Sequence, residues 1–374
     1  MIYGQTSLRR DRFFYRTLKR GGIRVILEVV ATTAVPASVA DIRPPAGVAE
    51  AAPRRHSLAT DYAELFKVRV SVMVVITSAA GIYLGSLRSG VSPFNPGAMK
   101  ALLGITAVTC GSSALNQAIE RRTDRLMHRT QDRPMAAGRI GLAHGLIVGF
   151  LLTFVGSLYL ARATNPLTGT LTLLTAVGYV AIYTPLKRMS PVNTFIGAFP
   201  GALPPLIGWT AARGVIEWPA IALFAILFVW QFPHFMAIGW MYRTDYARAG
   251  IRLTATGEDQ RYAARSSGVQ AVFYAVLMIG VALWPWALGI DGMPYAVAAA
   301  VFSLGYLWYA IVFARSAFRG NVLAELMPAA GEEYGEDARR SAMQPARNLL
   351  RASVIYLPLL LAAMMLDAQG RLLF

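Results

Sequence analysis

Nine stretches of this chain stay apolar for about 20 residues at a time, the length a helix needs to cross a bilayer. They fall at 66–86, 98–118, 141–161, 167–185, 192–212, 218–239, 267–288, 293–313 and 348–367. Lipid offers backbone amides no partners, so each stretch must satisfy its own hydrogen bonds, and a helix does that within one segment. Apolar residues make up 55% of the chain and charged residues 15%. The expected fold is therefore an all-α integral membrane protein, a bundle of nine transmembrane helices.

The formal net charge of +16 does not ask for nucleic acid. With the N-terminus cytoplasmic, 31 of the 36 lysines and arginines lie on the cytoplasmic side, against five opposite. That asymmetry is the positive-inside signature of membrane topology. The same field attracts anionic membrane lipid and anionic substrates. Cys110, the one cysteine, lies inside the second span, which excludes an intramolecular disulfide and a cysteine-rich metal cage.

Where the second span runs out, the chain reads Asn116-Gln-Ala-Ile-Glu120-Arg-Arg-Thr-Asp124-Arg-Leu-Met127-His-Arg129-Thr130-Gln-Asp-Arg133-Pro134. Asn116, Glu120 and Asp124 are spaced by four, so on a continuing helix they advance about 40° per step and share one face. Their oxygens would lie roughly 6 Å apart along the axis. Hard oxygen donors at that spacing suit Mg²⁺, which takes one or two carboxylates and completes its shell with water and substrate phosphate. Arginines around such a group at a membrane mouth point to a phosphorylated substrate with an apolar tail.

Three more groups fall on the same side. Tyr183-Thr-Pro-Leu-Lys187-Arg188, followed by Asn193, makes a diphosphate-binding corner between the fourth and fifth spans. The fifth span carries Gly197, Gly201, Pro204, Pro205 and Gly208, where small residues allow close helix approach and prolines kink or break the helix. The sixth span ends Trp230-Gln231-Phe-Pro233-His234-Phe235, and an imidazole within a span costs enough to suggest a role. Asp245 lies beyond that span as Asp124 lies beyond the second, which suggests two similar halves facing a central cavity and clamping a diphosphate from both sides.

These motifs together resemble the UbiA-like intramembrane aromatic prenyltransferase superfamily, and within it the protoheme IX farnesyltransferase (haem O synthase) family. The resemblance rests on Asn-x₃-Glu-x₃-Asp with Met127-x-Arg129-Thr130-x-x-Arg133-Pro134, on Tyr183-Thr-Pro-Leu-Lys187-Arg188 with Asn193, and on Gly201-Ala-x-Pro-Pro-x-x-Gly-Trp209. It continues through Trp230-Gln-Phe-Pro-His-Phe235, Asp245-Tyr-x-x-Ala-Gly250 and Ala346-Arg-Asn-Leu-Leu-Arg-Ala-Ser353-x-x-Tyr356-Leu357. Glu120 stands where most bacterial members have Asp, and resembles the mitochondrial branch. Asp245 has Ala249 four residues on, where other superfamily members have a second Asp.

The resemblance implies transfer of a farnesyl group from farnesyl diphosphate to the 2-vinyl group of haem b, with water added, giving haem O. It implies that Asn116, Glu120, Asp124 and Asp245 hold Mg²⁺, with haem b a substrate rather than a permanent cofactor. Lys187, Arg188, Arg129 and Arg133 would bind the diphosphate, with Tyr183 and Asn193 beside them, and His234 would contact haem or assist proton transfer. A downstream haem A synthase is the implied partner. A polyprenyltransferase acting on 4-hydroxybenzoate or another quinone precursor is the alternative within the fold. A membrane transporter is the alternative outside it, disfavoured because every Asp and Glu lies at or beyond a span end.

Residues 1–60 form a basic, Pro- and Ala-rich extension, read as a cytoplasmic tail or an organellar transit segment. Residues 61–374 form the nine-span domain, with site loops 119–140, 186–191 and 240–266 and an acidic solvated loop at 315–346. The expected location is the bacterial inner membrane, with the mitochondrial inner membrane as the alternative.

Overall fold

Each apolar stretch becomes one helix in the computed structural model, which describes residues 57–318 and 341–373. Among the described residues there are nine helices long and apolar enough to span a membrane, and no strand. A short helix α1 (Leu58–Leu65) leads into α2 (Val68–Arg88), α3 (Pro96–Asp124), α4 (Leu142–Ala163), α5 (Pro166–Leu186), α6 (Asn193–Arg213) and α7 (Trp218–Met241). A one-turn helix α8 (Arg243–Arg248) follows, then α9 (Gln260–Ala287), α10 (Met293–Phe318) and α11 (Gln344–Leu373). The readings made for 1–56 and for the acidic core of the 315–346 loop lie outside the described residues.

The helix ends follow local chemistry. Asn95 and Asn165 each accept a 2.9 Å hydrogen bond from the amide three residues on, with Pro96 and Pro166 at the first helical position. Asp259 does the same for α9, accepting from the amides of Arg261 and Tyr262, so α9 begins seven residues before its apolar stretch. The helix α3 runs six residues past its apolar stretch because Asn116 to Asp124 contains no Gly or Pro.

Consecutive spans are neighbours, and α11 packs against α2 to close the ring. Across it, α2 meets α6 through glycines. A Cβ on Gly81 would lie 2.0 Å from the Pro205 carbonyl oxygen, and one on Gly208 would lie 2.0 Å from that of Ser78. Small residues here let two backbones touch, the usual source of helix association in a membrane. The prolines Pro200, Pro204 and Pro205 leave α6 as one continuous helix rather than breaking it. A large buried cluster joins α6, α7, α9, α10 and α11, including Trp209, Trp240, Tyr295 and Phe313. Outward faces such as Phe150, Phe154, Val301 and Leu304 remain exposed and apolar, as lipid contact requires.

Candidate active site

Asn116, Glu120 and Asp124 do share one face at the end of α3, and each is gripped by a cation from elsewhere in the chain. Lys67 Nζ donates to Asn116 Oδ1. Lys187 Nζ donates to Glu120 Oε1 at 2.7 Å. Arg133 Nη1 lies 2.9 Å from both Asp124 oxygens. Asn116 and Asp124 are almost wholly buried, so unpaired charge there would be costly and the pairing is required.

The loop after α3 folds back to make this possible. Thr130 Oγ1 donates to the Asp124 carbonyl at 3.0 Å, and Arg125 Nε to the Ala136 carbonyl at 2.5 Å. Arg139 bonds Asp61 at 2.9 Å, tying the loop to α1. Gln117 Nε2 reaches the Glu64 carbonyl at 2.6 Å, which fixes α1 against α3.

On the facing side, α5 widens into a π turn over Gly178–Tyr183, a distortion found mostly at functional sites. The turn presents Tyr179 and Tyr183 together, ring centroids 5.8 Å apart. Thr184 Oγ1 donates to the Tyr179 carbonyl and accepts from Asn116 Nδ2, coupling the π turn to the α3 cluster. Tyr183 packs against Gly197, where a Cβ would come within 2.3 Å of its ring. Lys187 sits 4.6 Å from the Tyr183 ring centroid. Burial works against its ammonium, but the Glu120 carboxylate beside it holds its pKa above the ordinary lysine value.

Lys67 is the site residue that the sequence reading passed over. It caps α2 in the left-handed region, φ 48° and ψ 49°, a conformation that costs a non-glycine residue on the order of 1–2 kcal/mol. That backbone turns its side chain inward to Asn116 and to the Tyr179 hydroxyl at 3.3 Å. Burial, then the Arg133 charge, push its ammonium down to about 7. In the sequence Lys67 is one of many basic residues up to the start of the first span, and only the αL turn distinguishes it.

Glu120, Asp124, Lys67, Arg133, Tyr183 and Lys187 line one cavity of about 300 Å³. The apolar part of its lining is built by Met127, Phe235, Met236, Ile238 and Leu253. Arg129 stands at its edge with its guanidinium 5.1 Å and 5.9 Å from the Tyr242 and Tyr246 ring centroids. Asn193 also lines the cavity, but its amide donates to the Ser190 and Arg252 carbonyls and so pins the loop after α5 to the loop after α8.

A second chamber of about 270 Å³ shares Val70, Tyr183, Lys187 and Phe235 with the first and runs inward between α2, α3, α5 and α6. Thr109, Thr172 and Thr175 on its wall donate their hydroxyls to carbonyls of their own helices at 2.7–2.8 Å, so they need no water. Ile105, Val108, Ala176 and Ile207 on its wall belong to a buried apolar cluster that includes Leu160. The pair of cavities thus joins a charged mouth to an apolar chamber.

The other expected site residues lie apart from this cavity. Asp245 pairs with Arg248 at 3.4 Å on α8, and its neighbour Tyr246 lines the cavity instead. Arg188 is exposed. His234 faces α11, with Nδ1 2.7 Å from Ser353 Oγ and its ring stacked 5.0 Å from Trp230. The residues on the neighbouring face of α7, Gln231 and Phe235, line the chambers.

The donors fit Mg²⁺ in kind, being two carboxylates and an amide oxygen on one helix face next to space for a phosphorylated substrate. Among the described residues no cluster of three or more His, Cys, Asp or Glu is grouped as a metal cage. Two carboxylates and one amide oxygen leave part of an Mg²⁺ shell to water and substrate phosphate.

Comparison with known proteins agrees with this geometry. Residues 74–324 match the UbiA prenyltransferase family. A protoheme IX farnesyltransferase of Koribacter versatilis is 43% identical over 83% of this chain and 94% of its own length. Among solved structures, a digeranylgeranylglyceryl phosphate synthase superposes with a TM-score of 0.59 at 17% identity, covering 83% of this chain and 98% of that one. A UbiA homologue from Archaeoglobus fulgidus bound to DMAPP and Mg²⁺ gives 0.50 at 13% identity, covering 81% and 99%. With its charged mouth, apolar chamber and matching sequence, this chain belongs to the UbiA prenyltransferase family.

Proposed function

We propose that this prenyltransferase moves a farnesyl group from farnesyl diphosphate to the 2-vinyl carbon of haem b, with addition of water, giving haem O. The observation that carries the prenyl half is the adjacency of two cavities that share Val70, Tyr183, Lys187 and Phe235, one rich in cations and the other exposing mainly apolar surface. The acceptor half is supported by the identity of the relatives, which are named protoheme IX farnesyltransferases.

Lys187, Arg133 and Lys67 now spend their charge on Glu120, Asp124 and Asn116. An entering diphosphate competes for those same cations, while Asn116, Glu120 and Asp124 are the residues to hold Mg²⁺. When bound there, the ion would supply Lewis-acid neutralisation of the leaving diphosphate. As the allylic C–O bond breaks, charge moves onto the diphosphate, and fixed cations in a water-poor site stabilise it without reorganising. Arg129, held among the described residues by the Tyr242 and Tyr246 rings and the Tyr246 hydroxyl, is placed to close on the anion. The tail lies in the inner chamber, and the flat acceptor lies on the apolar wall of Met127, Phe235, Met236 and Ile238. The vinyl π electrons form the new C–C bond, water adds to the resulting cation, and a proton leaves to solvent.

The basic excess on the site-bearing loops favours a cytoplasmic mouth, and the bacterial relatives favour the bacterial inner membrane. A haem A synthase is the expected recipient of the product.

The test is diphosphate release by purified protein given farnesyl diphosphate and Mg²⁺, with and without haem b. Release that needs both haem b and Mg²⁺ is expected. Release that needs 4-hydroxybenzoate instead keeps prenyl transfer and replaces the acceptor. Release with no acceptor tried contradicts the proposal.

A further inference from the structure

Away from the site, α10 and α11 leave a groove of about 540 Å³ between them. Val301, Tyr309, Ile355 and Leu359 on its walls are exposed apolar or aromatic side chains of the kind that faces lipid. Gly305 lines it too, and a Cβ added there meets nothing within 4 Å. A glycine in a helix interior is destabilising relative to alanine, and no backbone contact calls for this one. Asn348 and Arg351 line the groove near the start of α11. That is the end of the bundle that holds the α3 cluster, since nine alternating spans bring the end of α3, the end of α10 and the start of α11 to one side. Arg347 and Arg315 stand at that end too. No carboxylate lines the groove among the described residues.

We infer that this groove is a binding site for a phospholipid with an anionic headgroup. An acyl chain lies over Gly305 between the two helices, and the phosphate meets Arg351 and Asn348. Basic pockets between spans, at headgroup depth, select anionic lipids in this way. The charge complementarity is one-sided: a zwitterionic lipid brings a second charge that finds no acidic partner among the described residues of the groove.

The back of the groove connects to the reaction chamber. Tyr306 and Tyr356 line it and stack at 5.0 Å. Tyr306 donates its hydroxyl to the Trp230 carbonyl at 3.0 Å, and Trp230 Nε1 donates to the Ser353 carbonyl at 2.8 Å. His234 also holds Ser353. Pro233 sits inside this turn of α7 and offers no backbone N–H, so the turn depends more on these side-chain bonds. Gln231 and Phe235, on its other face, line the inner chamber. A lipid that fixes α10 against α11 therefore steadies the wall of the site.

The experiment is native mass spectrometry of the full chain released from an equimolar phosphatidylglycerol and phosphatidylcholine mixture, beside two variants. Wild type is expected to retain phosphatidylglycerol at least fivefold over phosphatidylcholine, and soluble glycerol 3-phosphate is expected not to displace it. Arg351→Glu is expected to lose the preference and keep some lipid; Gly305→Trp is expected to lose both. Helical circular dichroism and gel filtration identify folded samples, and Gly305→Leu replaces Gly305→Trp if the larger side chain prevents folding. Equal phosphatidylglycerol preference in wild type and both variants overturns the site. So does a wild type that retains no lipid, or a dimer mass that disappears with Gly305→Trp, which would give the groove to a second copy of the chain. None of these readouts depends on which acceptor the enzyme prenylates.

Discussion

Asp124 is buried at the end of a membrane helix, and Arg133 meets both of its oxygens. Replacing Asp124 with Asn keeps the volume and removes the charge. Turnover is expected to fall about 10²–10³-fold, the scale seen when one electrostatic group aimed at developing charge is lost. Near-normal activity in a folded Asp124→Asn protein would contradict the assignment. Arg133→Ala strands the buried carboxylate instead, and removing one partner of a buried pair typically costs about 3–5 kcal/mol. It is expected to lower the unfolding temperature in detergent well beyond any effect of Asp124→Asn. For Lys187→Ala, steady-state kinetics are expected to show a larger loss with farnesyl diphosphate than in haem affinity, and the reverse pattern would remove Lys187 from the diphosphate corner. The three α3 oxygens were legible because spacing by four is a statement about one helix face. Lys67 was not, because its inward turn depends on a left-handed backbone that spacing does not encode. Asp245 was read from its place beyond the sixth span and His234 from the cost of an imidazole within one, and the structure gives them Arg248 and Ser353 as partners.

At the scale of the element, the spans were legible from length and hydropathy, since lipid leaves a helix as the main way to satisfy a backbone crossing it. Their ends were less so. The apolar stretch ends where side chains become polar, but α3 and α9 continue while propensity and capping allow. The prolines of α6 suggested a kink or break, and the helix runs unbroken across them. The glycines of α2 and α6 carry a sharper test. Gly208→Val puts side-chain atoms against the Ser78 carbonyl and is expected to destabilise by about 1–3 kcal/mol, as overpacking does. Gly280→Ala, where a Cβ meets nothing, is expected to be neutral or stabilising by up to ~1 kcal/mol. Thermal unfolding in one detergent compares the two, and equal shifts would remove the close helix contact as a determinant of the fold.

At the scale of the whole molecule, the ring of spans brings Lys67, the α3 cluster, the π turn of α5 and the wall of α7 to one end of the bundle. Polar groups collect at a mouth, and the chamber behind it exposes mainly apolar surface, which suits a prenyl tail. The sequence motifs named these parts; which of them converge required the packing of α2 on α6 and of α7 on α11. The most direct test of the account is mass spectrometry of haem recovered from purified protein incubated with haem b, farnesyl diphosphate and Mg²⁺, beside an EDTA control. The account predicts a metal-dependent gain equal to a farnesyl group plus water on haem. Unchanged haem in the presence of folded protein and both substrates would contradict it.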